Sequence, residues 1–127
     1  MPTDNVSGRM MVEIHYYTPW QFCGMTQDES WGKMFYYWGV NYHSTTDTSR
    51  NATTGEASTL NSLFASMKTK FVDNGIPVIL GEFGAVRRSS LTGNALTLHL
   101  ASRAYFYQYV VQQARNNGMI PFLWDTG

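Results

Sequence analysis

The sequence predicts an α/β fold built on parallel strands, and three observations carry that prediction. Short apolar runs bounded by glycine and proline, such as Val78-Ile-Leu80 after Pro77, read as strands buried on both faces. Stripes of apolar residues at three- and four-residue steps precede two of these runs and read as amphipathic helices. The resulting order is strand, long loop, helix, strand, loop, helix, strand, which at this spacing requires right-handed crossovers between parallel strands.

Taken in order, the first strand is Met10-Met-Val-Glu-Ile-His-Tyr-Tyr17. Strands alternate their side chains, so His15 and Tyr17 point the same way. The loop that follows runs from about residue 18 to 56, far beyond the ~2–6 residues usual for a strand-to-helix connection. It holds Trp20, Phe22, Trp31, Phe35, Tyr36, Tyr37, Trp38 and Tyr42. That aromatic load argues for a packed loop, with a short helix expected near Trp31 to Trp38. Trp31 and Trp38 are read as packing residues and Trp20 as facing a ligand.

The first helix stripe is Leu60, Leu63, Phe64, Met67 and Phe71; the second is Leu96, Leu100, Ala104, Tyr107, Val111 and Ala114. Arg103 and Arg115 lie off the second stripe and are expected to face outward. A weak repeat links the halves: Asn74-Gly-Ile-Pro-Val-Ile-Leu80 resembles Asn117-Gly-Met-Ile-Pro-Phe-Leu-Trp124. Each Asn-Gly suits a helix end where glycine turns left-handed, and each proline suits the first position of a strand. Three parallel strands leave two open edges, which closed barrels avoid. A (β/α)8 barrel needs ~250 residues, so the chain reads as the last three strands and two helices of one. A single partial-barrel domain over residues 1–127 is expected.

Composition narrows the function. Aromatic residues make up 15% of the chain against 14% charged, and formal net charge is zero. No basic patch suits a phosphate backbone, so no nucleic-acid partner is expected. No run approaches the ~20 apolar residues of a membrane span, and the polar Met1 to Asn5 lacks a signal-peptide core. Cys23 is alone, no histidine pair has ligand spacing, and neither a metal nor another cofactor is expected. His43 and His99 have no site context, and His99 reads as structural or solvent-facing. The sequons at Asn5 and Asn51 say little about compartment.

The chemistry gathers at the strand ends. His15-Tyr16-Tyr17 ends the first, Glu82 between Gly81 and Gly84 ends the second, and Trp124-Asp125 ends the third. Active sites of barrels and open α/β sheets are built at such C-terminal ends. A carboxylate there needs something to offset its desolvation. An imidazole, a phenol, a carboxylate and an indole suit a neutral, hydroxyl-rich substrate: rings stack on sugars and polar groups read hydroxyls.

Three motifs in this order resemble the C-terminal part of glycoside hydrolase family 5. His15-Tyr16-Tyr17 resembles the end of that family's sixth strand, Ile79-Leu-Gly-Glu82-Phe-Gly84 its seventh, and Phe122-Leu-Trp124-Asp125 its eighth. The details are most like bacterial endo-β-1,4-glucanases, including those that cleave xyloglucan. The resemblance implies that Glu82 is the nucleophile, that Tyr17 orients it, that His15 contacts substrate and the acid/base residue, and that Trp124 stacks under the sugar. It implies a β-glucan oligosaccharide or polysaccharide as partner, and a secreted or cell-surface location. The family's acid/base glutamate lies in an Asn-Glu-Pro motif that this sequence lacks. The chain alone is therefore expected to be inactive or very weak, and to form a homo-oligomer or pair with the remaining barrel half. The rival readings are a non-catalytic carbohydrate-binding or self-assembling module, or a small α/β domain with an unrelated ligand. In these, Glu82 would cap a helix or bind an arginine, and His15 and Tyr17 would only pack.

Overall fold

A computed structural model describes residues 5–124; Asp125 lies outside the described residues. The three strands are β1 (Val12–Tyr16), β2 (Val78–Phe83) and β3 (Met119–Pro121). They form one parallel sheet in the order β1-β2-β3. The helices are α1 (Trp20–Cys23), α2 (Ala57–Lys70) and α3 (Gly93–Asn116). The α/β class, the strand order and the parallel direction agree with the sequence reading.

One face of the sheet carries the core. Val78, Leu80, Phe83 and Met119 meet Leu60 and Phe64 of α2 and Phe106, Val110 and Ala114 of α3 there, all buried. Tyr16 ends β1 on the same side, edge-on to Phe64 with ring centroids 5.3 Å apart. Among the described residues no helix covers the other face: Glu13 and His15 are exposed, and Ile120 keeps 59% of its surface.

A bulge decides what that open face presents. Ile14 pairs with Leu80, but His15 pairs with Glu82, so Gly81 is an extra residue in β2. Simple alternation from the buried Leu80 would turn Glu82 into the helix layer and Phe83 outward. The extra residue reverses the parity, as a one-residue slip must. Glu82 reaches the open face and Phe83 is buried. Glycine leaves room at the bulge: a Cβ on Gly81 would lie 2.1 Å from Glu13 Oε1, so the Glu13 side chain would have to move aside.

The two Asn-Gly pairs end helical segments as expected, with Gly75 at φ 74° and Gly118 at φ 72°. The prolines differ from each other. Pro77 stands just before β2, whereas Pro121 is the last residue of β3; its neighbour Phe122 donates N–H to Leu80 O at 2.8 Å, so by alternation the missing N–H of Pro121 falls on the side away from β2.

The long loop differs from expectation in two ways. Its helix lies at Trp20–Cys23, not near Trp31 to Trp38. That latter stretch is irregular: it opens in a turn at Trp31, and Gly32 and Tyr37 make isolated bridges to Glu29 and Asn51. The loop does pack on itself and on α3. Trp38 is fully buried, edge-on to Phe106 at 5.2 Å, and its indole N–H donates to Gly55 O at 3.0 Å. Its backbone is held by one hydroxyl: Trp38 N–H donates to Ser102 Oγ at 2.6 Å, and Ser102 Oγ donates to Trp38 O at 2.8 Å. Trp31, by contrast, is 62% exposed and is not a packing residue.

The buried stripe of α3 is His99, Ser102, Phe106, Val110 and Ala114, which shares only Ala114 with the apolar reading, and Ala104 is exposed. Two polar residues in the stripe caused the mismatch, because both are spent on backbone contacts. His99 accepts from Arg88 N–H at 3.0 Å through Nε2, which leaves Nδ1 to donate to Tyr36 O at 2.7 Å. Burial pushes the His99 imidazole down to about 4, so it is neutral at physiological pH.

Candidate active site

β1 and β2 deliver four polar side chains to the open face. Tyr17 Oη donates to Glu82 Oε2 at 3.1 Å. Burial, with the Glu82 contact second, pushes the Tyr17 phenol up to about 12, so it remains a donor across the neutral range. His15 Nδ1 lies 3.4 Å from the same Glu82 oxygen. His15 Nε2 donates to Glu13 Oε1 at 3.1 Å. The imidazole thus stands between two carboxylates, and Glu82 is addressed from two sides by groups of β1.

Aromatic rings flank this group. Trp20 opens α1 directly after β1 and is edge-on to Tyr17, centroids 6.4 Å apart, with half its surface free. Its indole lies on the backbone of Gly24, where a Cβ would come within 2.1 Å of two ring carbons. Trp124 follows β3, its N–H donating to Phe83 O at 3.1 Å, and its side is also half exposed. Tyr17, Trp20 and Trp124 line a cleft of about 450 Å³ together with Gly84, Arg103 and Tyr107. Gly84 matters for closeness, since a Cβ there would stand 3.0 Å from Trp124 O.

Glu82, His15, Tyr17, Trp20 and Trp124 therefore lie at one end of the sheet, around its C-terminal strand ends. Two residues here escaped the sequence reading. Glu13 lies two residues before His15 on β1, and its carboxylate reaches the imidazole across Gly81, which has no side chain in the way. Arg103 was expected to face outward, yet it turns to the end of β2. It donates to Ala85 O through Nε at 2.9 Å and Nη2 at 2.7 Å, and to Tyr107 Oη at 3.1 Å. Its off-stripe position predicted only that it avoids the core, and the β2–α3 loop occupies that side.

Arg88 locks the loop that carries Trp20. It is 5% exposed, and its guanidinium donates to Gln21 O at 2.8 Å, Phe35 O at 3.3 Å and Met25 O. Its Nε finds no partner. Among the described residues no group of three or more His, Cys, Asp or Glu side chains could hold a metal ion. No helix among them is long and apolar enough to cross a membrane.

Such an arrangement can orient a carboxylate toward a ligand while stacking rings hold it. Known proteins similar to the chain include enzymes named for action on glucans. Residues 1–127 match the model of the cellulase family, glycosyl hydrolase family 5. A xyloglucan-specific endo-β-1,4-glucanase of Bacteroides ovatus is 37% identical over 127 residues, which is all of this chain and 24% of that protein. Endoglucanase A of Paenibacillus barcinonensis is 33% identical over the whole chain and 31% of its own length. Among solved structures, a Bacteroides ovatus xyloglucanase in complex with a XXXG heptasaccharide superposes with a TM-score of 0.85 at 34% identity, over the whole chain and 26% of the other. A xyloglucan-specific β-1,4-glucanase from a ruminal metagenomic library, in complex with XXLG, gives 0.79 at 46% identity, covering 93% of this chain and 29% of that one. The chain thus spans about a quarter to a third of the length of these relatives, and its sheet and helices are part of a (β/α)8 barrel. The chain belongs to the cellulase family, glycosyl hydrolase family 5.

Proposed function

We propose that this chain supplies the nucleophile side of a retaining endo-β-1,4-glucanase site. The observation that carries the proposal is the position of Glu82, turned by the Gly81 bulge onto the open face and held by Tyr17 Oη at 3.1 Å. Glu82 would attack the anomeric carbon. Tyr17 would keep the carboxylate aimed, and His15 would hold the edge between nucleophile and substrate. Trp124 and Trp20 would stack on sugar rings. The substrate class is a β-1,4-linked glucan such as cellulose, xyloglucan or mixed-linkage β-glucan, which goes with action outside the cell.

Retaining hydrolysis needs a second carboxylic acid about 5–5.5 Å from the first, to protonate the leaving oxygen and then activate water. The sequence has no Asn-Glu-Pro to provide it. Glu13 is committed to His15 at 3.1 Å, which favours a holding role over proton transfer to substrate. The 127-residue chain would then bind glucan without turning it over. Adding a second polypeptide bearing the Asn-Glu-Pro strand would restore hydrolysis. The uncovered sheet face and the free edges of β1 and β3 suit such pairing, or self-association, which sedimentation would detect. The test is hydrolysis of a soluble glucan by the chain alone and with that polypeptide. Sustained turnover by the chain alone, abolished in Glu82→Gln, would overturn the inactivity.

A second reading, a binding module with no chemistry, draws on the exposed indoles of Trp20, Trp31 and Trp124. It parts from the first on one point, whether Glu82 reacts covalently.

A further inference from the structure

We infer that Trp31 and Trp20 form an outlying sugar-stacking subsite, where a β-glucan chain bound at Glu82 continues along the aromatic loop. The inference rests on the glucan-binding reading above and assigns it a further site. Two observations carry it, the display of Trp31 and the cleft it shares with Trp20 next to the one at the strand ends.

Trp31 is 62% exposed, yet it is not on a loose tip. It sits in a tight turn closed by Glu29 N–H to Gly32 O at 2.9 Å and Gly32 N–H to Glu29 O at 3.2 Å. The turn is anchored at Asp28, whose carboxylate takes both guanidinium nitrogens of Arg50 and accepts Met34 N–H at 2.9 Å. The Arg50 contact pulls the Asp28 carboxyl down to about 2, so the anchor is charged over the working range. Arg50 is held in turn over the Tyr36 ring, 4.8 Å from its centroid. Trp31 shares a cleft with Trp20, also half exposed, so the two indoles make a joint apolar surface rather than a single exposed ring.

The cleft beside it adjoins the one at the strand ends across a shared wall. A second cleft of about 430 Å³ is lined by Trp20, Gly24, Met25, Gln27, Glu29 and Trp31 among others. Trp20 and Gly24 also line the cleft that holds Tyr17 and Trp124. Trp20 is therefore common to both, its indole seated on Gly24. Two indoles with Gln27 and Glu29 at their rim match a sugar chain, which offers apolar ring faces and a fringe of hydroxyls. An apolar protein partner would leave the Gln27 and Glu29 side chains buried against it, a cost that hydroxyls avoid.

The test is calorimetric titration of the chain with cello-oligosaccharides from cellobiose to cellohexaose, for wild type, Trp31→Ala and Trp31→Phe. Removing one stacking ring should weaken cellohexaose binding about 3- to 10-fold, with Phe recovering most of it. Cellobiose, too short to span both clefts, should bind wild type and Trp31→Ala alike. Trp31 is exposed, so far-UV circular dichroism should be unchanged. Equal cellohexaose affinity in wild type and Trp31→Ala would overturn the subsite and leave the glucan-binding reading intact. No binding of any oligosaccharide by wild type would overturn both.

Discussion

Replacing Ser102 with alanine should cost this fold far more than its single hydroxyl suggests. Ser102 lies on α3 with no exposed surface, and its Oγ both accepts from Trp38 N–H and donates to Trp38 O. Neither Trp38 backbone group has another hydrogen-bond partner among the described contacts. The substitution strands a buried donor and a buried acceptor, each worth about 1–3 kcal/mol. Their sum, allowing for partial relaxation, is about 2–4 kcal/mol. For a domain of this size each kcal/mol moves Tm by roughly 3–5 °C, so the expected drop is ~10 °C. Trp38 anchors the loop that carries Trp20, so glucan affinity should fall too. The assay is thermal and urea unfolding followed by tryptophan fluorescence, with Ser62→Ala, an exposed serine on α2, as control. The control should stay within about 0.5 kcal/mol. A Ser102→Ala variant as stable as that control would refute the bookkeeping, and with it the claim that the loop hangs on this hydroxyl.

Other outcomes follow from the same geometry. His99 titrates near 4 in the folded chain against 6.5 when unfolded, so its contribution is fully present above pH 6.5 and is lost as pH falls toward 4. The loss should reach about 3 kcal/mol, and His99→Gln should flatten that part of the stability–pH curve. A curve identical to wild type would sink the assignment. Gly81→Ala places a Cβ 2.1 Å from Glu13 Oε1, so it should destabilise wild type by about 1–2 kcal/mol but cost little in Glu13→Ala. Additive effects in that double-mutant cycle would mean that Glu13 does not fill the bulge. Arg88→Met removes the donor shared by carbonyls of Gln21, Met25 and Phe35, and should cost about 3 kcal/mol. Limited proteolysis should then cut between Gln21 and Phe35, and an unchanged cleavage pattern would count against the lock.

What the sequence disclosed was set by period and by motif. The apolar runs at Val78 and Met119 and the Asn-Gly helix ends are local signals, and they placed strands and helix stops correctly. That His15, Tyr17, Glu82 and Trp124 come together was legible because they stand at or just beyond strand ends. The bulge was not, since one extra residue leaves no mark on hydrophobicity, yet it alone turns Glu82 outward. Glu13 was missed for the same reason. The α3 stripe was misread because His99 and Ser102 are polar by type and buried by bonding, which an apolar count cannot see. Trp31 was misjudged because composition says a loop is aromatic-rich without saying which rings the loop spends on itself.

The proposed role of Glu82, a nucleophile working on the open face, is tested most directly by covalent trapping. A fluorinated cellobioside with a dinitrophenolate leaving group needs no proton donor to depart, so it asks only for the half of the mechanism assigned to this chain. Intact-mass and peptide analysis should find one cellobiosyl unit on Glu82 in wild type, slower labelling in Tyr17→Phe, and none in Glu82→Gln. Labelling at another carboxylate, or the same labelling in Glu82→Gln, would contradict it.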